Sequence, residues 1–306
     1  MFQPKSYPEP LQRRIHALKY LQQEQGELEC KLQEEIAALE KKYLELYAPF
    51  FDRRKAIVNG EEPKEEEVEA GAKIASAEES EHVEGEEKEF VNVEGNGVPD
   101  FWLTAMANHP QLAELISEKD AEALKHLVDV RLSYLDVPGF KLEFEFSENA
   151  FFTNKILTKT YYYQSKPGYG GDYLYERAEG TEISWKEGQD ITVERKTKKQ
   201  RHKATGEMRT VEQVVPAESF FNFFAPPIAP NEGEELEEEE LEELEERIEA
   251  DYEVGETFKD KIIPHAIDWY TGKALEYEDF DGDFEHEFID DEDDDEDDEE
   301  QDEDDV

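Results

Sequence analysis

The sequence predicts an α+β fold: a long antiparallel dimerisation helix and a domain whose antiparallel β-sheet packs on helices, with a protruding β-hairpin and a disordered acidic C-terminal tail. Three observations predict it. An apolar repeat at spacings of three and four runs through residues 9–47, the period of one helix face. Strand-like runs follow from residue 140 to 193 with no helical spacer, which favours an antiparallel meander. The chain carries 82 acidic against 33 basic residues, and residues 276–306 alone hold 22 acidic residues with no Lys or Arg. The chain divides accordingly into residues 1–60, the long helix and a short one after it; 61–96, an acidic accessory insertion; 97–275, a packed α+β domain; and 276–306, the tail.

The long helix opens at Pro8 and Pro10, where a missing N–H costs little, and Pro49 predicts its end. Leu11, Ile15, Leu18, Leu21, Leu28, Leu32, Ile36, Leu39, Tyr43 and Leu46 line its seam. Uneven steps break a strict heptad, so the pattern does not predict a regular supercoil. At ~1.5 Å per residue the helix spans ~58 Å, too long to be buried in one domain of this size. A second copy is the simplest cover. Residues 52–60 read as a short helix or turn, and 61–89 as a loose helix or mobile insertion poor in large apolar side chains.

From Gly97 the texture changes. Phe101, Trp102, Leu103 and Met106 open a helix, and Asp120 to Leu135 reads as another, with Ala123, Leu124, Leu127, Val130 and Leu135 inward. Phe140, Leu142, Phe144 and Phe146 alternate with charged residues as a strand does. Residues 156–164 and 181–186 read as the second and third strands, and 191–193 as the start of a fourth. Residues 191–214 form a polar strand pair bent at Thr205-Gly206, which should project from the domain. Phe220, Phe221, Phe223 and Phe224 are dense enough for a core, and helices follow at 234–250 and 255–270.

Function classes narrow quickly. A net charge of −49 repels phosphates and suits a basic partner. The single cysteine, Cys30, permits no internal disulfide and no cysteine-based zinc site. The seven histidines form no pair at helical spacing, and Gly168–Asp172 lacks the Lys-Ser/Thr of a phosphate-binding loop. Asp279, Asp281 and Asp283 imitate the start of a calcium loop, but Phe284 stands where glycine is required. The reading is therefore not an enzyme, with no cofactor and no metal. No run approaches the ~20 apolar residues of a membrane span, and no signal peptide is evident, so a soluble intracellular protein without membrane partners is expected. Arg195, Lys196, Lys198, Lys199, Arg201 and Lys203 on the polar ribbon suit the acidic groove of an import receptor. An ordinary solvated hairpin and contact with the chain's own acidic segments are the competing readings. Direct nucleic-acid binding is not expected, since no aromatic residues interleave the cations. Tyr277, Phe280, Phe284 and Phe288 punctuate the tail; rings for apolar pockets and carboxylates for cations suit docking on a basic protein.

The strings GVPDFWLTAM (97–106), PGFKLEFEF (138–146), FFTNKILTKTYYY (151–163), AEGTEISWK (178–186), ESFFNFFAPP (218–227) and IIPHAIDWYTGKALEYE (262–278) resemble the nucleosome assembly protein family over about nine-tenths of the chain. The resemblance implies a homodimer on paired antiparallel helices. It implies binding of the dimer of histones 2A and 2B and of histones 3 and 4, nucleosome assembly without ATP, and histone nuclear import by a protein shuttling between cytoplasm and nucleus. Residues 97–275 become the histone-binding domain. Glu218 and Asp260 resemble acidic positions of the family's histone-facing surface, and Tyr277, Phe280, Asp281, Asp283, Phe284 and Phe288 extend it into the tail. The 195–203 ribbon resembles the family's import hairpin, while Leu18, Leu21 and Leu28 resemble its export segment. A related branch of the superfamily leaves an alternative: an acidic adaptor or phosphatase inhibitor.

Overall fold

The computed structural model describes residues 7–79, 97–165, 173–201, 208–228, 230 and 237–276. Helix α1 runs from Glu9 to Val58, 50 residues, straight through Pro49. The sequence reading ended it at Pro49 and began a second helix at 52, and that is corrected. A proline inside a helix removes one N–H bond, here to Glu45, and costs ~3 kcal/mol. The last two turns of α1 offset this by docking on the domain. Arg54 Nη1 donates to the Ile263 carbonyl at 2.6 Å, and its guanidinium lies over Phe51 and Trp102. Lys55 meets Glu145 at 2.6 Å, and Asp52 meets Arg131 at 2.7 Å. Val58 and Phe51 pack against the core.

The insertion contains a real helix, α2 (Glu65–Glu79). Arg53 of α1 holds it: Nε and Nη2, one edge of its guanidinium, both donate to Glu67, with Nη2 to Oε2 at 2.8 Å, while Nη1 pairs with Glu61. The chain returns at Gly97, whose φ of 87° and contact with the Val58 carbonyl leave no room for a Cβ. Val98 N then donates to Val58 O at 2.9 Å.

Three short helices follow, α3 (Phe101–Ala107), α4 (Pro110–Leu115) and α5 (Glu118–Leu124). The expected helix to Leu135 is corrected: α5 stops at Leu124 and strand β1 (Leu127–Tyr134) begins. Its partners β2 (Gly139–Phe146), β3 (Ile156–Tyr163) and β4 (Tyr175–Gly180) complete a four-stranded antiparallel sheet in the order β1-β2-β3-β4. The expected strand at 181–186 is also corrected. That segment pairs with the loop 151–154 through one bridge, Phe152–Trp185, and Tyr175–Gly180 takes the edge position. Register places Phe140 beside Tyr161, Leu142 beside Lys159 and Phe144 beside Leu157 on the buried face.

Packed on that face are a 3-10 turn (Phe220–Phe224), helix α6 (Glu238–Glu256) and a π-helical turn (Thr257–Ile262), while α7 (Ala266–Thr271) packs on α3, Tyr270 stacking on Phe101. Phe144 meets Phe224 and Phe258 edge-on at 5.2 and 5.1 Å, the geometry aromatic quadrupoles favour. The polar ribbon, β5 (Val193–Arg201) and β6 (Met208–Pro216), forms a separate two-stranded sheet. No described helix is long and apolar enough to cross a membrane.

Candidate functional site

Two surfaces stand out, and the long helix is the first. No residue of α1 is buried in the single chain. Leu11, Leu21, Leu32, Ile36, Leu39, Tyr43 and Leu46 are exposed, with Leu18 and Leu28 at 64% and 65%; Ile15 is half-buried. Phe50, which the seam pattern did not include, is exposed to 72%. Where α1 meets the domain, Leu39, Tyr43, Tyr47, Leu132, Tyr134 and Ile263 surround an apolar depression of about 360 Å³. An apolar face of this extent, on a helix that reaches beyond its own domain, is unusual for an isolated chain.

The second surface is acidic and is built around α6. Eight glutamates between Glu238 and Glu249 are solvent-exposed, while Leu244 and Ile248 are half-buried. The C-terminal half of the helix is fastened by three alternating side chains of β3. Lys159, fully buried, donates to Asp251 at 2.5 Å and to the Phe223 carbonyl at 2.7 Å. Tyr161 Oη donates to the Asp251 carbonyl at 2.7 Å, and Tyr163 Oη reaches Glu256 at 3.3 Å. Gly255 lies against the Tyr161 ring, where a Cβ would collide. Burial pulls the Lys159 ammonium down to about 8, with Asp251 opposing; burial likewise raises the Asp251 carboxyl.

Glu218 is exposed and lines a groove of about 530 Å³ with Glu114, Leu115, Phe223, Pro227 and Arg247. Its place is set by Asp120. That carboxylate is fully buried and accepts from Ser117 N and Oγ at 2.9 and 2.7 Å, closing the capping box of α5. It also accepts from Ser219 Oγ at 2.6 Å and Phe220 N at 3.0 Å. Asp260, on the π turn, lies on a neighbouring depression with Tyr252, Glu253, Glu256 and Thr257. Gln111 borders both, accepting from Thr257 at 2.9 Å and donating to Glu253 at 3.2 Å. Partial burial raises the Asp260 carboxyl, against the pull of Lys259 and with the push of Glu256. Glu218 and Asp260 thus occupy adjoining grooves rather than one.

On the ribbon, Arg195 and Lys196 are exposed, and Lys196 lies 3.4 Å from Glu194. Lys198, Lys199 and Arg201 fall on β5. Lys203, Tyr277, Phe280, Asp281, Asp283, Phe284 and Phe288 lie outside the described residues. Among the described residues no His, Cys, Asp and Glu group is arranged to hold a metal ion. Sequence reasoning missed Lys159, Asp251 and Asp120, the buried charges that aim the acidic surface. Only Lys159 left a signal, as a lone cation at an inward position of an alternating strand.

The family described as Nucleosome assembly protein (NAP) matches residues 13–273. A Nucleosome assembly protein of Saccharomyces cerevisiae is 47% identical over 281 residues, covering 88% of this chain and 67% of that protein. Nucleosome assembly protein 1-like 1-A of Xenopus laevis is 39% identical over 291 residues, covering 91% of this chain and 73% of that protein. Among solved structures, Nucleosome Assembly Protein 1 from Plasmodium knowlesi superimposes with a TM-score of 0.55 at 29% identity, over 88% of this chain and 99% of that one.

Proposed function

The chain belongs to the nucleosome assembly protein family, and on that premise we propose that it is a histone chaperone acting by non-covalent shielding. The observation that carries the reading is the segregation of charge. Eight exposed glutamates ride on a helix riveted to the sheet, and 22 more carboxylates crowd residues 276–306. Histones hold DNA through Lys and Arg contacts to phosphates, a term that falls steeply with salt. Carboxylates presented at comparable density compete for the same cations. Ill-fitted histone–DNA contacts are lost first, and the better-fitted nucleosome survives. No bond is made or broken, so no ATP is consumed.

In this reading Glu218 and Asp260 supply fixed anionic grooves, and Tyr277, Phe280, Asp281, Asp283, Phe284 and Phe288 supply ring anchors and charge for the dimer of histones 2A and 2B and for histones 3 and 4. The exposed face of α1 pairs antiparallel with a second copy, doubling the acidic surface. Arg195, Lys196, Lys198, Lys199, Arg201 and Lys203 offer an import receptor its cationic motif, so that the protein shuttles with its cargo between cytoplasm and nucleus. The test is fluorescence titration of labelled core-histone dimers at about 0.15 M salt, with sedimentation of the free protein alongside. Tight binding weakened by removal of 276–306 and by Glu218→Gln is expected, as is a dimer mass lost in Leu28→Lys. Absence of histone binding under these conditions refutes the reading.

A further inference from the structure

We propose that the N-terminal half of α6 is a docking face for a basic amphipathic helix, which covers an apolar stripe that the domain leaves open. The stripe is Leu241, Leu244 and Ile248. At about 100° per residue these three fall on one line with Asp251 and Gly255, the positions at which α6 meets Lys159 and Tyr161 of β3. The inward face of the helix therefore continues beyond its own footing. No residue of α6 before Val254 is buried; Leu241 is exposed to 40%, and Leu244 and Ile248 are half-buried. Among the described residues, none of the three belongs to the core or to the side chains packed on it.

The charge around the stripe decides what can cover it. Helix geometry puts Glu238, Glu245 and Glu249 along one flank and Glu240 with Arg247 along the other. Arg247 is the one cation in α6. Glutamates also stand four apart, among them Glu238 with Glu242, Glu242 with Glu246 and Glu245 with Glu249, a spacing at which like charges destabilise a helix. A second copy of this face, an anionic lipid surface or a nucleic acid would add to the repulsion. Lys and Arg side chains relieve it.

The spacing decides the shape of the occupant. Steps of three and four over ~10 Å of helix axis make a seam that a second helix meshes with, knob into hole. An extended strand, which repeats every second residue, fits that seam poorly. The occupant is therefore a helix with its own apolar seam and Lys or Arg on its flanks, the helix-in-groove mode of recognition. The groove lined by Glu218, Leu115 and Pro227 opens on the adjacent face of α6, at Arg247 and Asp251, so the two surfaces are contiguous.

The inference rests on the histone-chaperone reading and narrows it. The rigid acidic surface takes a helix of a core histone, and packing as well as charge sets the affinity.

Hydrogen exchange of the full chain, alone and with dimers of histones 2A and 2B, should show amides over 238–250 slowed about tenfold on binding. Leu244→Ala with Ile248→Ala keeps every charge and places a strong helix former at both sites, with circular dichroism to check the helix. This double variant should bind the histone dimer about tenfold more weakly. The loss should persist at about 0.5 M salt, where the Debye length is below ~5 Å and the loss from Glu245→Gln with Glu249→Gln fades. A peptide arm separates shape from charge. It uses two peptides of about 18 residues with identical Lys, Leu and Ala content, one with leucines at helical spacing and one scrambled. The full chain should prefer the first about tenfold, and the double variant should lose the preference. Equal affinity for the two peptides, or a preference that survives in the double variant, overturns the proposal. Histones bound at parental affinity by the double variant, with no slowing over 238–250, also overturn it and leave the chaperone reading standing. A peptide preference lost in the double variant, with no histone binding by the parent, keeps the docking face and overturns the chaperone reading instead.

Discussion

Lys159 is the residue whose loss the structure predicts most sharply. Its ammonium is fully buried on the inner face of β3, bonded to Asp251 of α6 and to the Phe223 carbonyl. Lys159→Met keeps the length and apolar stem but strands the Asp251 carboxylate, one oxygen of which already has no partner. Breaking a buried pair from one side costs ~3–5 kcal/mol. With a urea slope of ~2–3 kcal/mol/M, the midpoint should fall by ~1–2 M. Lys159→Met with Asp251→Leu removes both charges and should recover most of the loss, since apolar replacement of a buried pair is often neutral. Urea denaturation at one fixed protein concentration, with hydrogen exchange over 237–256, gives both quantities. A single variant within ~1 kcal/mol of the parent, or a double variant no better than the single, refutes the reasoning. The same burial predicts a pH effect. Between about 8, the folded value, and 10.5, the ordinary one, the unfolded chain binds a proton that the folded chain has shed. Stability contributed through Lys159 therefore rises with pH across that window, and Lys159→Met should flatten the rise.

Asp120→Ala orphans Ser117 N, Ser219 Oγ and Phe220 N and should cost ~3–5 kcal/mol in thermal or chemical denaturation. Gly255→Ala drives a methyl into the Tyr161 ring, costing ~1–3 kcal/mol. Gly71→Ala, with open space around it on α2, should instead add helix content, worth ~1 kcal/mol, by circular dichroism. The Glu67 carboxyl is pulled down to about 2, first by its hydrogen bonds to Arg53 and then by Lys64 N. Its contribution to holding α2 is therefore complete above the ordinary 4.5 and fades only as pH falls from there toward 2. Amide exchange over 65–79 should follow that course, and in Arg53→Ala it should be fast throughout.

The elements legible in the sequence were those whose period was unambiguous. The seam of α1, the alternation of Phe140–Phe146 and the phenylalanine cluster at 220–224 all read directly. Residues 127–134 did not, because Leu127 and Val130 continue the helical spacing of Ala123 and Leu124. Pairing with β2, with a register shift between Leu127 and Asp129, decides the matter, and no local pattern contains it. Thr181–Lys186 has strand composition, yet its groups are taken by the loop before β3, as in Lys186 N to Phe151 O at 2.8 Å and Ser184 N to Asn154 Oδ1 at 2.7 Å. Pro49 misled for the same reason: a local penalty was outweighed by contacts hundreds of positions away, such as Arg54 with Ile263. Of the acidic surface, composition announced the charge, while the buried Asp120 and Lys159 that orient it depend on three-dimensional neighbours.

The π turn at Thr257–Ile262 closes through Ile263 N to Phe258 O, one residue wider than an α-helical turn. Each residue of an α-helix advances about 100° around the axis, so this extra position re-phases everything after it. Phe258, Ile262, Ile263, Ala266 and Trp269 all consequently point inward. Losing a single residue here, with the wide turn kept, would swing Trp269 away from the Asn108 amide that grips its carbonyl at 2.7 Å and carry Tyr270 into its buried place. Lys261, exposed, can drift in identity, but the number of residues between Val254 and Trp269 cannot. In this stretch the fold counts positions more strictly than it reads letters.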